Sequence, residues 1–394
     1  MTRPARHGPG ADANPPRLRV HGPPYQARHG DLRAEVRGWL AEHVTPHVEQ
    51  WEAAREFPRE LFAAAGAAGL LGWKYGPQYG GGGPDLLADM VISEELACCG
   101  SGGVAAGLGA TKDLAPYYLA RFGGPAQRDR WLPPAVRGEQ VAALAVTEPE
   151  AGSDVAALRC RAVPDGDGWL VSGSKSFITN GCRADWVLVA ARTGESLGWQ
   201  GVSLLIVPTD AAGFAADRIH TLGWATSQTG LLHLDQVRVG PEALLGAPGA
   251  GFAMIMQSFQ WERVALAVAA VAAASEDLDR VARWQVEAGQ IGGGQQSQWW
   301  QLARRLASAR ALAYAALGET IEGREAVASV SAAKWLACDL AVETATLRLA
   351  AAQPVSAYEA MVAERALRDA RLGPIGGGAR EVMAELVARS LQLA

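Results

Sequence analysis

The chain changes its hydrophobic period twice. From Asp31 onward, Leu32, Val36, Leu40 and Val44 recur at the i, i+4 spacing that buries one face of a helix, with Asp31 as a suitable cap and Pro46 as the break. A second helix is expected from Phe57-Pro58, with Pro58 near the first helical position, where its missing N–H costs nothing, and an end at Gly69 and Gly72. Gly80 to Gly83 reads as a loop, Asp85 to Leu96 as a helix, and Ala-rich helical pattern continues to about Gly138. Between Val141 and Val239 the period shortens. Apolar or alternating runs at Ala142–Val146, Trp169–Ser172, Trp186–Ala191, Val202–Val207 and His233–Val239 are separated by Gly, Asp and Pro turns, the signature of a small antiparallel sandwich or barrel. After Gly249-Ala250-Gly251-Phe252 the helical period returns and holds to the end, broken at Gly289–Gly294, Gln353-Pro354 and Gly373–Gly378.

This order predicts an α+β chain. Residues 1–29, rich in Pro, Arg and Gly and without periodicity, are expected to be a disordered tail. A helical domain should cover 30–140, an antiparallel β domain 141–246 and a helical bundle 247–394. The Gly292-Gly293-Gly294 run is read as a turn, since glycine alone does not make a phosphate cradle.

Composition narrows the function. A net charge of −5 over 394 residues gives no electrostatic reason to bind nucleic acid or an anionic membrane. No apolar run approaches the ~18 residues of a membrane span, and the N-terminus lacks a signal-peptide core, so a cytoplasmic location is expected. The cysteines Cys98, Cys99, Cys160, Cys182 and Cys338 are odd in number and lack metal-ligand spacing, so no metal site is expected. Thirteen tryptophans are read mainly as core or interface packing, Trp261 and Phe259 included.

Candidate chemistry concentrates in Ala145–Asp185. A Thr-Glu-Pro turn leads into Ala151-Gly152-Ser153-Asp154, and Gly173-Ser174-Lys175-Ser176-Phe177-Ile178-Thr179-Asn180-Gly181 follows a hairpin signal at Asp165-Gly166-Asp167-Gly168. Together they resemble the middle domain of the flavin-dependent acyl-CoA dehydrogenases. The resemblance extends to Pro46–Trp51, Phe57-Pro58 and Gly69–Gly72 near the N-terminus. Further on it includes Leu245-Gly246, Gly251-Phe252 and Glu262-Arg263, then Arg368-Asp369-Ala370-Arg371 with Ile375-Gly376-Gly377-Gly378. It implies an N-terminal helical domain, a β domain and a C-terminal four-helix bundle, with FAD as cofactor. On that resemblance, Leu144, Val146 and Thr147 contact the pyrimidine side of the flavin. Phe177 and Ile178 cover the ring, Thr179 hydrogen-bonds near N5, and Gly152, Gly378 and Arg380 complete the cofactor contacts. Ser153 touches both flavin and the thioester arm, and Arg263 and Gly377 adjoin the substrate.

The resemblance also assigns the base. Many family members carry a glutamate in the loop after the Arg-Asp-Ala-Arg block, where this chain has Gly377. A subset that includes the isovaleryl-CoA and long-chain enzymes places the glutamate on the helix after the Gly-Phe turn instead, where this chain has Glu262. The two differences compensate. A carboxylate there needs an apolar pocket to raise its pKa far enough to accept a proton from the carbon alpha to a thioester, and glycine at 377 leaves a backbone N–H for the thioester oxygen. The alternative for a Glu-Arg dipeptide is an ion pair.

Some family positions are lost. Where an arginine and phenylalanine reach the FAD pyrophosphate, this chain has Gln285 and Ala288. Ala350–Pro354 replaces a Gln and Gly-Gly, and Ala379 replaces a threonine. These changes fall on the adenosine and pyrophosphate half and imply weaker or different anchoring, with Arg283 or Arg380 as substitutes. Three functions remain in view: an α,β-dehydrogenase acting on an acyl-CoA or acyl-carrier-protein thioester, a flavin monooxygenase on the same fold, and a non-catalytic member with a degraded FAD site. The family implies an electron-accepting flavoprotein or dioxygen as oxidising partner and a homodimer or homotetramer.

Overall fold

A computed structural model describes residues 25–194, 198–289 and 294–392, with the side chains of 294–297 left out of the description. The expected tail therefore lies largely outside the described residues, as do Gly292 and Gly293; Gly294 begins a helix. Seven helices come first: α1 (Ala27–His43), α2 (Val48–Ala54), α3 (Glu60–Ala67), α4 (Leu86–Ala97), α5 (Gly102–Asp113), α6 (Ala115–Phe122) and α7 (Pro125–Val136). Helix α1 starts earlier than its apolar pattern suggests. Asp31 sits inside it, exposed, and Gln26 is the N-cap. Tertiary partners extend the helix: Tyr25 donates to Glu94 at 2.6 Å, and His29 Nε2 meets Asp85 Oδ2 at 3.2 Å. Pro58 lies two residues before α3 rather than within its first turn. Asp85 caps α4, accepting from Ala88 N at 3.0 Å.

Eight strands follow: β1 (Ala142–Ala145), β2 (Arg161–Asp165), β3 (Gly168–Ile178), β4 (Trp186–Arg192), β5 (Val202–Pro208), β6 (Phe214–Arg218), β7 (Gly230–Val239) and β8 (Leu244–Leu245). The sheet runs β6-β7-β3-β2-β4-β5-β8, with β1 beside β4. Most pairs are antiparallel, including the β2–β3 hairpin that pairs Asp165 with Gly168. The parallel exceptions are β1–β4 and a single β2–β4 contact. Three short strands, β2, β6 and β8, escape the periodicity because they hold too few alternating positions.

The chain ends in helices α8 (Gly251–Glu287), α9 (Gly294–Ile321), α10 (Val327–Ala352), α11 (Ala357–Ala370) and α12 (Arg380–Ser390). The long α8 is central to the site, because its faces serve two cores. Met254 and Ile255 pack with Tyr118 of α6, Val146 beyond β1 and Leu204 of β5. Trp261, Val264 and Val268 pack with α9 and α10. One rigid helix thereby spans the β domain and the C-terminal bundle. Among the described residues no helix is long and apolar enough to cross a membrane.

Candidate active site

Lys175 joins the two central motifs. Fully buried on β3, it donates to Val146 O at 2.9 Å and to Glu148 Oε1 at 2.8 Å. Glu148 also accepts from Arg159 N at 2.5 Å and Cys160 N at 2.9 Å. Ser176 N completes the junction by donating to Thr147 O at 2.9 Å. The loop after β1 and the end of β3 are therefore one rigid unit.

The register of β3 against β7 slips between Lys175 and Ile178, and Phe177 takes φ +59°. Its ring is turned outward and is 66 % exposed. Ile178 is 3 % exposed, its side chain packed in the β core. Asn180 then pins the strand end to α5, donating to Gly107 O at 2.9 Å. Leu144 and Val146 send their side chains into the core shared with α6 and α8. Thr147 and Thr179 are half-buried, and among the described residues neither hydroxyl has a protein partner. Gly152 and Ser153 are exposed, and a side chain at 152 would meet open space.

A flat heterocycle bordered by carbonyl oxygens needs hydroxyl and N–H donors at its edge and an apolar wall. Thr147, Thr179 and the outward Phe177 ring supply both along one rigid edge, so the residues present fit a flavin.

The second half of the site is built on α8. Glu262 is half-buried, and burial lifts its carboxyl pKa from 4.5 to about 7, against the lowering effect of Arg263 and Lys334, with Asp113 adding to the rise. Its neighbour Arg263 does not hold it in an ion pair; Arg263 Nε donates to Gly377 O at 3.1 Å. Lys334 of α10, buried, donates to Gly378 O at 2.5 Å. Two cations thus turn both loop carbonyls away, while Gly377 (φ +66°) and Gly378 (φ +113°) keep N–H groups without acceptors among the described residues. A Cβ at 377 would sit 3.3 Å from Glu262 Oε1 and 2.4 Å from Leu266 Cδ1. Loop and helix positions are adjacent in space, so a carboxyl at one leaves no room for bulk at the other.

Arg380 opens α12. Its Nε and Nη2 both donate to Asp339 Oδ1, at 3.0 and 2.6 Å. Arg283 approaches Glu276 at 3.6 Å. Gln285 and Ala288 close α8 at its far end, half-buried and exposed respectively. Sequence reasoning missed Lys175, Lys334 and Asp113, whose importance comes from partners remote in the chain.

Family models for the N-terminal, middle and C-terminal domains of acyl-CoA dehydrogenase match residues 26–139, 143–237 and 249–392. The mitochondrial long-chain specific acyl-CoA dehydrogenase of Sus scrofa is 34 % identical over 382 residues, covering 93 % of this chain and 87 % of that protein. A crystal structure of a probable acyl-CoA dehydrogenase from Mycobacterium abscessus superposes with a TM-score of 0.87 at 35 % identity, covering 93 % of this chain and 99 % of the other. One from Mycobacterium smegmatis gives 0.88 at 36 %, covering 94 % and 99 %. With three matched domains in order and the fold shared end to end, the chain belongs to the acyl-CoA dehydrogenase family of FAD-dependent oxidoreductases.

Proposed function

We propose that this protein removes hydrogen from the α and β carbons of an acyl thioester, with Glu262 as the base. The observation that carries this reading is the pairing of a carboxyl raised to about pKa 7 with a loop whose carbonyls are tied back and whose N–H groups are free. Near pH 7 such a carboxylate is ionised often enough to act and basic enough to take a weakly acidic α proton. The Gly377 and Gly378 N–H groups stabilise the negative charge that grows on the thioester oxygen as that proton leaves. FAD, when bound, would supply the oxidant for hydride leaving the β carbon. Thr147, Thr179 and Phe177 would hold and orient it, and exposed Ser153 would guide the thioester arm.

The arm belongs to CoA or to a carrier protein's phosphopantetheine, and reducing equivalents pass to an electron-accepting flavoprotein or to dioxygen. A homodimer or homotetramer is the proposed assembly. The test is anaerobic: bleaching of the bound flavin by an acyl thioester supports the dehydrogenase. Flavin that reacts only with oxygen and nicotinamide-derived electrons points to a monooxygenase.

Two outcomes follow for the cofactor. Thr179→Val should shift the flavin absorption or redox potential and slow reduction, since it removes one hydroxyl from the ring edge; an unchanged spectrum and rate would remove Thr179 from the site. With Gln285 and Ala288 at the pyrophosphate positions and Arg380 held by Asp339, FAD affinity should be low. One missing charge-assisted hydrogen bond, ~1.5–3 kcal/mol, corresponds to roughly ten- to hundred-fold. Equilibrium binding of FAD to the stripped protein checks this, with Gln285→Arg expected to tighten it. Nanomolar binding by the unmodified chain would show another anchor.

A further inference from the structure

Of the chain's 36 lysines and arginines only four are lysine, and all four are buried: Lys74, Lys112, Lys175 and Lys334. Three of them meet a carboxylate. Lys74 and Lys112 reach Asp89 at 2.9 and 2.6 Å, and Lys175 reaches Glu148 at 2.8 Å. Lys334 forms no ion pair among the described residues; it donates instead to the Gly378 carbonyl, at 2.5 Å. An ammonium stripped of water and left without a carboxylate is a net cost to folding. Methionine, of similar length, would fill the same space without that cost, so stability does not account for Lys334.

Its contact falls where the site most needs holding. Gly376, Gly377 and Gly378 are consecutive, and glycine has more backbone conformations open to it than any other residue. Two cations from two different helices fix this run. Arg263 Nε of α8 donates to the Gly377 carbonyl at 3.1 Å, and Lys334 of α10 donates to the next carbonyl along. The first tie fixes the peptide plane that carries the Gly378 N–H. The second fixes the following plane, so both dihedrals of Gly378 are set. This happens against the base: a Cβ on Gly377 would lie 3.3 Å from Glu262 Oε1.

We propose that Lys334 is a positioning residue for the reaction: by holding the Gly378 carbonyl it locks the 376–378 loop, so that the loop N–H groups stay aimed at the thioester oxygen beside Glu262. The proposal rests on the dehydrogenase reading above. The charge of Lys334 has a second consequence. The groups that act on Glu262 are Arg263, Lys334, Asp113 and Tyr118, the last kept neutral because burial pushes its hydroxyl pKa well up. The two cations hold the carboxyl down against burial, and Asp113 adds to the rise. Loss of Lys334 therefore disturbs both the loop and the base, whereas loss of a mere packing residue would leave the base's titration where it was.

The test uses the FAD-loaded protein, reduced anaerobically by whichever of isovaleryl-CoA, hexanoyl-CoA and palmitoyl-CoA bleaches the parent flavin fastest. Lys334→Met should lower the limiting rate by about ten- to hundred-fold, since a misplacement of about 1 Å is enough for that. The half-saturating thioester concentration and FAD content should change little, the pattern of a contact used only in the transition state. The pH midpoint for reduction should move up from about 7, because one of the two cations acting on Glu262 is gone. Lys334→Arg keeps the charge but displaces the donor, so it should keep the parental midpoint and lose part of the rate; it carries the test if the methionine variant does not fold, and a fully parental rate would then count against the proposal. Parental rate and midpoint in Lys334→Met, or a rate loss no larger than its loss of bound FAD, would overturn the proposal and leave the dehydrogenase reading standing. A parent bleached by none of the three would overturn both.

Discussion

Glu262→Gln should slow flavin reduction by ~10²–10⁴-fold while leaving FAD content unchanged, the range expected when a positioned general base is lost. The same change should stabilise the fold above neutrality. The folded carboxyl holds its proton up to about pH 7, whereas the unfolded chain releases it near 4.5. The folded state therefore binds more protons between these values, and stability falls as pH rises through that window. Glutamine removes this dependence. Its melting temperature should match the parent's near pH 4.5 and exceed it at pH 8, where keeping the ionised carboxyl buried costs on the order of 3 kcal/mol. In the parent, the reduction rate should fall as pH drops below about 7, as the base becomes protonated. Near-parental reduction by the glutamine variant, measured by stopped flow, would exclude Glu262 as the base.

Lys175→Met should be the most damaging change outside the base. Removing the ammonium leaves Glu148 ionised and almost wholly buried, with only the Arg159 and Cys160 N–H groups against its charge. Breaking a buried pair from one side costs about 3–5 kcal/mol. The Val146 carbonyl also loses its donor, so the loop carrying Thr147 and Ser153 is held to β3 more loosely, through the remaining Ser176 N to Thr147 O bond. The variant should lose FAD as well as melting temperature. The double change Lys175→Met with Glu148→Gln should recover much of the stability, because it removes the orphaned charge, but little of the FAD, because the Val146 contact stays broken. Denaturation midpoints and flavin-to-protein ratios measure the two effects separately. Full flavin occupancy in the single variant would contradict the junction's role.

Much of this was readable along the chain. A period near four marks α1 and α8, alternation marks β4 and β5, and the Asp-Gly-Asp-Gly turn sets the β2–β3 hairpin, because these signals are local and repeat. The exchange of Glu262 for a glycine at 377 was legible because both lie in motifs, and the short distance between them gives its physical reason. Strands β2, β6 and β8 were not named, since runs of two to five residues carry too little periodicity. The start of α1 at Ala27 was missed because it depends on Tyr25 and His29 finding Glu94 and Asp85 about sixty residues away.

The sequence by itself determined the order of helices and strands and carried the motifs on which the proposed flavin edge and the proposed base rest, all properties of neighbouring residues. Tertiary structure alone decided which titratable groups are driven out of water and against what. No local signal tells that Lys175 meets Glu148, that Lys334 and Arg263 turn the 377–378 carbonyls, or that Asp113 stands behind Trp261, because burial and charge pairing depend on distances that only the packed chain fixes.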